Sequence, residues 1–152
     1  MNGGGPGRPE RSAMSARHNG PSIDVAAART RADLARCVDR LRDMVVRRAA
    51  EGVCAVDVGR LAADVNDAVL GRAAAMAEAE TGPPPCLYSL MVLGSEGRRE
   101  QFLATDQDNA LVYADPGEQA RSYFEAFGGR FVGILAEAGF PPCPHGVTVA
   151  NA

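Results

Sequence analysis

Residues 93–113 read LGSEGRREQFLATDQDNALVY, and this stretch decides the fold. It overlaps the end of an apolar run, Leu87 to Leu93 (LYSLMVL), whose length and composition predict a β-strand. Gly94-Ser95-Glu96-Gly97 predicts a turn, and Arg98 to Leu103 is long enough for a short helix. Asn109 to Tyr113 (NALVY) predicts a second strand, closed by Ala114-Asp115-Pro116-Gly117. Ten residues separate Ser95 from Asp106, and Asp106-Gln107-Asp108 stands at the head of that second strand. Side chains alternate along a strand, so Asp106 and Asp108 point to one side, about 6.5–7 Å apart along the backbone. Their carboxylates can converge on one divalent ion or bracket two ions about 3.5–4 Å apart. Magnesium suits such a site, because it takes a few carboxylates together with substrate phosphates and water. Gly94 lacks a Cβ, so the turn can approach a phosphate closely. The backbone N–H groups that follow, and the Ser95 hydroxyl, can donate to it. Arg98 and Arg99 can neutralise the remaining phosphate charge.

Outward from this centre the periodicity changes. Glu118 to Ala138 is predicted as a helix, with Tyr123, Phe127, Phe131 and Leu135 four apart and Gly139 as its stop. A glycine-proline segment then leads into Val147-Thr148-Val149-Ala150, a predicted third strand. Upstream, Leu34, Val38, Leu41 and Val45 line one face of a helix predicted from Asp24 to Ala50, and Gly52 sits where it would stop. A second helix is predicted from Asp57 to Glu80, with Val58, Leu61, Val65, Val69 and Met76 inward and Asp57 as N-cap. The short connection makes the pair an antiparallel hairpin, and one of its stripes needs cover from beyond the pair. Thr81 to Cys86 (TGPPPC) breaks the helix and marks a boundary. Residues 1–22 are rich in glycine, proline and arginine and predict a disordered tail. The expected organisation is a tail over 1–22, a helical hairpin over 23–82 and an α/β (α+β) core over 83–152, built on a small mixed sheet of about three strands.

Composition narrows the function classes. With 46 % hydrophobic and 23 % charged residues the chain is an ordinary globular sequence. Its net charge of −3 gives no whole-surface affinity for nucleic acid or for an anionic membrane, and neither is expected as a partner. No apolar run is long enough to span a bilayer, and the first twenty-odd residues hold no signal-peptide core, so the expected location is cytoplasmic. All sixteen basic residues are arginine, which excludes a lysine-dependent phosphate loop and Schiff-base chemistry. Cys37, Cys54, Cys86 and Cys143 are widely spaced and, with only His18 and His145 to add, argue against a paired-ligand zinc site; they read as small buried apolar residues. Leu93 stands where a hydrolase elbow around Ser95 would need glycine, and His145 lies in a proline-rich loop with no orienting partner. Glu100 is expected to pair with an arginine rather than ligate metal.

The 21-residue stretch resembles the signature of the nucleotidyltransferase domain family related to the N-terminal domain of protein-PII uridylyltransferase, found in bacterial signalling proteins. Gly94, Ser95, Asp106 and Asp108 match the superfamily pattern of strand, Gly-Ser, gap and Asp-x-Asp. Gly97, Arg98, Glu100, Gln101, Thr105, Gln107, Asn109 and Ala110 match this subfamily more closely, and GFPPCPHGV is also similar. The resemblance implies that Asp106 and Asp108 bind magnesium (or manganese) and that Gly94 and Ser95 hold a nucleoside triphosphate. An acceptor hydroxyl, in the uridylyltransferases a tyrosine on a small regulatory protein, would attack the α-phosphorus and release pyrophosphate. The superfamily pattern also includes a third carboxylate on a later strand. Val147 to Ala150 carries none, and Asn151 is a poor substitute. The domain's remaining strand and a helical substrate-binding region are expected beyond Ala152, leaving the core incomplete at its C-terminus. The alternatives are a non-catalytic nucleotide-sensing module and an inactive fragment that docks through its helical hairpin.

Overall fold

Thr30 and Asp33 start the first helix. The Thr30 side chain accepts from the Asp33 backbone N–H at 3.1 Å, and the Asp33 carboxylate accepts from the Thr30 N–H at 2.8 Å. This reciprocal capping box places the start of α1 at Arg31 rather than at Asp24, and the helix runs Arg31–Ala50. Residues 24–28 form a separate turn, in which Ala28 N–H bonds the Val25 carbonyl and both side chains are buried. The helix ends as the sequence predicts. Gly52 N–H bonds Ala49 O and Val53 N–H bonds Arg48 O, satisfying two of the terminal carbonyls. In the computed structural model the described residues are 23–101, 103, 106–115 and 117–151. The predicted tail over 1–22 lies outside them, as do Thr105 and Pro116.

Helix α2 spans Ala55–Thr81. Cys54 occupies the N-cap position without a side-chain cap, and Asp57 sits in the first turn instead of capping it. There its charge still faces the positive end of the helix dipole. Arg31, the first residue of α1, pairs with Glu80 near the end of α2 at 2.7 Å, so the hairpin is antiparallel. Val58, Ala62, Val65, Val69, Ala73, Met76 and Ala77 are all buried. So broad a buried surface needs two neighbours: α1 covers part of it, and α4 covers the rest.

The sheet is smaller than predicted. β1 (Tyr88–Val92) and β2 (Asn109–Tyr113) pair antiparallel, with Tyr88 opposite Tyr113 and Val92 opposite Asn109. The described residues contain no third strand. Val147 to Ala150 instead leads into a 3-10 turn over Val149–Asn151. Two bonds divert the chain: Val149 N–H donates to the side chain of the distant Asn109 at 2.9 Å, and Asn151 N–H turns back to Thr148 O. Between β1 and β2 the short helix also falls earlier than expected. It is a single turn, α3, over Gly94–Gly97, and Arg98 to Leu103 contains no helix among its described residues. The architecture is α+β, mixed helices with a two-stranded antiparallel sheet.

Helix α4 (Glu118–Glu137) closes the core. Its centre is Phe124, Phe127, Phe131, Ile134 and Leu135, all buried. Tyr123 lies at the margin and donates its hydroxyl hydrogen to Gly82 O at 2.7 Å. Tyr88 and Tyr113 from the sheet meet Phe124 with ring centroids 5.3 and 4.5 Å away. Phe127 and Phe131 stack 6.0 Å apart. One side of the sheet is thus tied to the helices by rings, while Met91 and Val112 on its other side remain exposed. No helix among the described residues is long and apolar enough to cross a membrane.

Candidate functional site

The site is built where β1 hands over to α3. Leu93 N–H bonds the Asp108 carbonyl at 2.8 Å, extending the ladder one step beyond the Val92–Asn109 pair. Gly94 follows in the left-handed region with φ +59°. A Cβ placed there would lie 2.5 Å from Asp108 Oδ2, so the backbone rests directly against that carboxylate, and any other residue would strain the backbone and push the carboxylate aside. Gly97 is constrained in turn, because a Cβ there would fall 2.6 Å from the Val92 carbonyl oxygen. Gly97 N–H bonds Leu93 O at 3.0 Å and so closes the α3 turn.

On the other strand, alternation separates Gln107 from its two acidic neighbours. Gln107 is buried and donates Nε2 to Phe140 O at 2.6 Å, and its own N–H bonds Pro141 O at 3.0 Å. It forms a parallel bridge with Pro142. Asn109, also buried, donates its N–H to Val147 O at 3.2 Å. These two amide residues hold residues 140–149 alongside the start of β2, in the place where a third strand was predicted. Asp106 and Asp108 turn the opposite way. One carboxylate oxygen from each and the Cys143 thiol sulfur all lie within 4.8 Å of one another. Cys143 is buried, as the sequence predicts, but its position beside two carboxylates was not anticipated.

Glu96 is the second group that sequence reasoning passed over. It lies in α3, 8 % exposed, and its carboxyl is pushed up to about 7. Burial is the main cause, followed by the negative charges of Asp67 and Asp108. An acidic residue inside a two-glycine turn reads as solvated in sequence; only the packing of the turn against its surroundings buries it.

The two arginines expected to meet phosphate have protein partners. Arg98 Nε donates to Glu100 Oε2 at 2.8 Å, which also gives Glu100 the arginine partner expected of it. Arg99 adopts φ +57° and bridges Asp64 and Asp67 on α2. Both arginines remain substantially exposed, and exposed pairs contribute about 0–1 kcal/mol, so either guanidinium can exchange its partner for a stronger anion. Ser95 sits at the turn beside Gly94, and its carbonyl accepts from Glu100 N–H at 2.9 Å.

This donor set fits a divalent cation. Two carboxylates share one side, retain contact with solvent, and adjoin a backbone turn that glycine lets approach closely. No curated protein and no solved structure matches the chain. Residues 39–152, from within α1 to the C-terminus, match a family model, and the chain belongs to that family, described as "Putative nucleotidyltransferase DUF294".

Proposed function

We propose that the chain transfers a nucleoside monophosphate from a nucleoside triphosphate to an acceptor hydroxyl, in the manner of protein-PII uridylyltransferase. Family membership supports the general nucleotidyltransferase class. The observation that carries the site assignment is the Gly94 backbone lying against Asp108, with Asp106 on the same side. In this reading Asp106 and Asp108 hold magnesium or manganese, which when bound neutralises phosphate charge and stabilises the entering and leaving oxygens. The N–H groups at the start of the α3 turn and the Ser95 hydroxyl orient the triphosphate. Arg98 and Arg99 exchange surface carboxylates for phosphate oxygens, which accept charge-assisted hydrogen bonds. The acceptor oxygen bonds to the α-phosphorus, the bond to pyrophosphate breaks, and the acceptor's proton passes to solvent. A protein hydroxyl acceptor and a signalling role belong to the same proposal.

A nucleotide-sensing module without turnover is the second reading. It is favoured by one observation: among the described residues, the metal-capable group pairs Asp106 and Asp108 with a cysteine rather than with a third carboxylate. Thermal unfolding with UTP, ATP, GTP or CTP, with and without magnesium, tests both. A ligand at 100 times its dissociation constant stabilises by about 2.7 kcal/mol, a shift of several degrees for a chain this size. The Asp106→Ala, Asp108→Ala double variant is expected to lose that shift. Pyrophosphate release with an acceptor separates catalysis from sensing. A folded wild type that responds to no nucleotide would sink both readings.

A further inference from the structure

We propose that the Cys143 thiol is a third metal-facing group of this site, which gives it a preference for borderline and soft divalent ions such as zinc over magnesium. The inference rests on the reading of Asp106 and Asp108 as metal ligands.

Distance is the first argument. The three donor atoms lie within 4.8 Å of one another. Zinc–ligand bonds are about 2.0–2.3 Å, so donors around one ion stand up to roughly twice that apart. A small side-chain rotation closes the remainder.

Register is the second argument, and it is independent of the first. Gln107 and Pro142 form a parallel bridge, which fixes the 141–143 segment against the Asp106–Asp108 segment. Neighbouring residues of extended chain alternate sides, so Cys143 falls on the side opposite Pro142. Asp106 and Asp108 fall on that same side, opposite Gln107. The placement is held by Gln107 N–H to Pro141 O, Gln107 Nε2 to Phe140 O, and Asn109 N–H to Val147 O. Gly146 N–H bonds Cys143 O at 3.0 Å and closes a turn directly behind the cysteine. The Cys143 backbone is therefore held beside the two carboxylates by four hydrogen bonds and a bridge.

Donor chemistry is the third. Carboxylate and water suit magnesium, whereas thiolate selects zinc and its softer relatives. Two carboxylates and one thiolate make three protein ligands, which leaves a fourth tetrahedral position for water or a phosphate oxygen. Binding releases the thiol proton to solvent. No other cysteine among the described residues belongs to such a group.

Cadmium is the probe, because a cadmium–thiolate bond gives a near-ultraviolet charge-transfer band that carboxylate ligation lacks. The full chain is titrated with cadmium, and separately with manganese followed by electron paramagnetic resonance. The band is expected in wild type and in Cys54→Ser, and is expected to vanish in Cys143→Ser. The Asp106→Asn variant should weaken cadmium by roughly tenfold or more, since even outer-shell partners are worth about 10–100-fold in affinity. Manganese binding should persist in Cys143→Ser, which also reports that this variant is folded. A band that survives in Cys143→Ser overturns the proposal. So does the absence of any band in a wild type whose manganese binding depends on Asp106 and Asp108, and in that case the metal-site reading itself stands. A folded wild type that binds neither ion removes both.

Discussion

The helical layer and the α3–β2 edge of this chain are held by different forces. In the helices, α2 is clamped between α1 and α4 by aliphatic and aromatic side chains, many of them fully buried. Burial of that kind is tolerant of detail, because any side chain of about the right size and hydrophobicity contributes. At the edge, the α3 turn and the segment around Asp106 and Asp108 owe their positions to backbone bonds, two glycines and two buried amide side chains. The apolar residues on the outward side of the sheet, Met91 and Val112, bury little. One region therefore supplies stability, and the other spends its specificity on geometry. Substitutions in the two should separate cleanly into losses of stability and losses of ligand response.

The largest effect is expected in the helical layer. Phe131 is fully buried and stacked on Phe127. Phe131→Ala removes a ring and leaves a cavity, at a cost of about 3–5 kcal/mol. Denaturant unfolding should show the midpoint falling, while any nucleotide-dependent gain in stability survives in the fraction that remains folded. A cost below about 1 kcal/mol would mean that the layer repacks freely, and the contrast between the regions would fail.

At the edge, Glu96 provides the next test, and its sign can be worked out. Its carboxyl stands at about 7 in the folded chain against an ordinary value of 4.5. Between those two values the folded chain holds a proton that the unfolded chain has lost. Stability is therefore fully present below about pH 4.5, falls as pH rises toward 7, and is flat above it. A displacement of that size is linked to roughly 3 kcal/mol. Glu96→Gln keeps the shape and cannot ionise, so it should flatten that part of the stability–pH profile and be the more stable protein at pH 8. A wild-type profile without this decline would show that Glu96 ionises freely inside its turn.

These contrasts also explain what could be read from sequence. The helical stripes of Leu34–Val45 and Phe127–Leu135 were legible because a 3.6-residue period is local and redundant; one misread residue does not change the face. Strand Asn109–Tyr113 was legible for a different reason, its β-prone composition closed by a turn, and the common side of Asp106 and Asp108 follows from strand alternation. The helical pattern begins at Asp24 in the sequence, but the Thr30–Asp33 box outweighs it and starts α1 at Arg31. Val147 to Ala150 has strand composition, yet the Asn109 side chain captures Val149 N–H and turns the chain away from a ladder. Cys143 and Glu96 were out of reach for a deeper reason. The place of the first depends on a pairing between Gln107 and Pro142, and the burial of the second depends on how a four-residue turn packs. Neither leaves a periodic trace.

Arg99 should give the smallest stability change and the most diagnostic one, because it joins the two regions. Its guanidinium bridges Asp64 and Asp67 on α2, while its backbone sits at φ +57°, a conformation glycine adopts more readily. The bridges are exposed and contribute about 0–1 kcal/mol each at most. Relief of the left-handed backbone is worth about 1–2 kcal/mol, offset by about 0.4–1 kcal/mol for the freer unfolded chain of a glycine variant. Arg99→Ala loses the bridges and keeps the backbone cost, so a drop of about 1 kcal/mol is expected, shrinking in high salt. Arg99→Gly loses the same bridges but relieves the backbone, so its stability should stay near that of wild type. The nucleotide response then decides what the side chain is for. If Arg99 leaves its two aspartates for the triphosphate, both variants lose affinity alike, although only one of them has lost stability. If it is a strut between α2 and the α3 turn, nucleotide affinity in Arg99→Gly stays at the wild-type level, and Arg98 is left as the phosphate-facing cation of the turn.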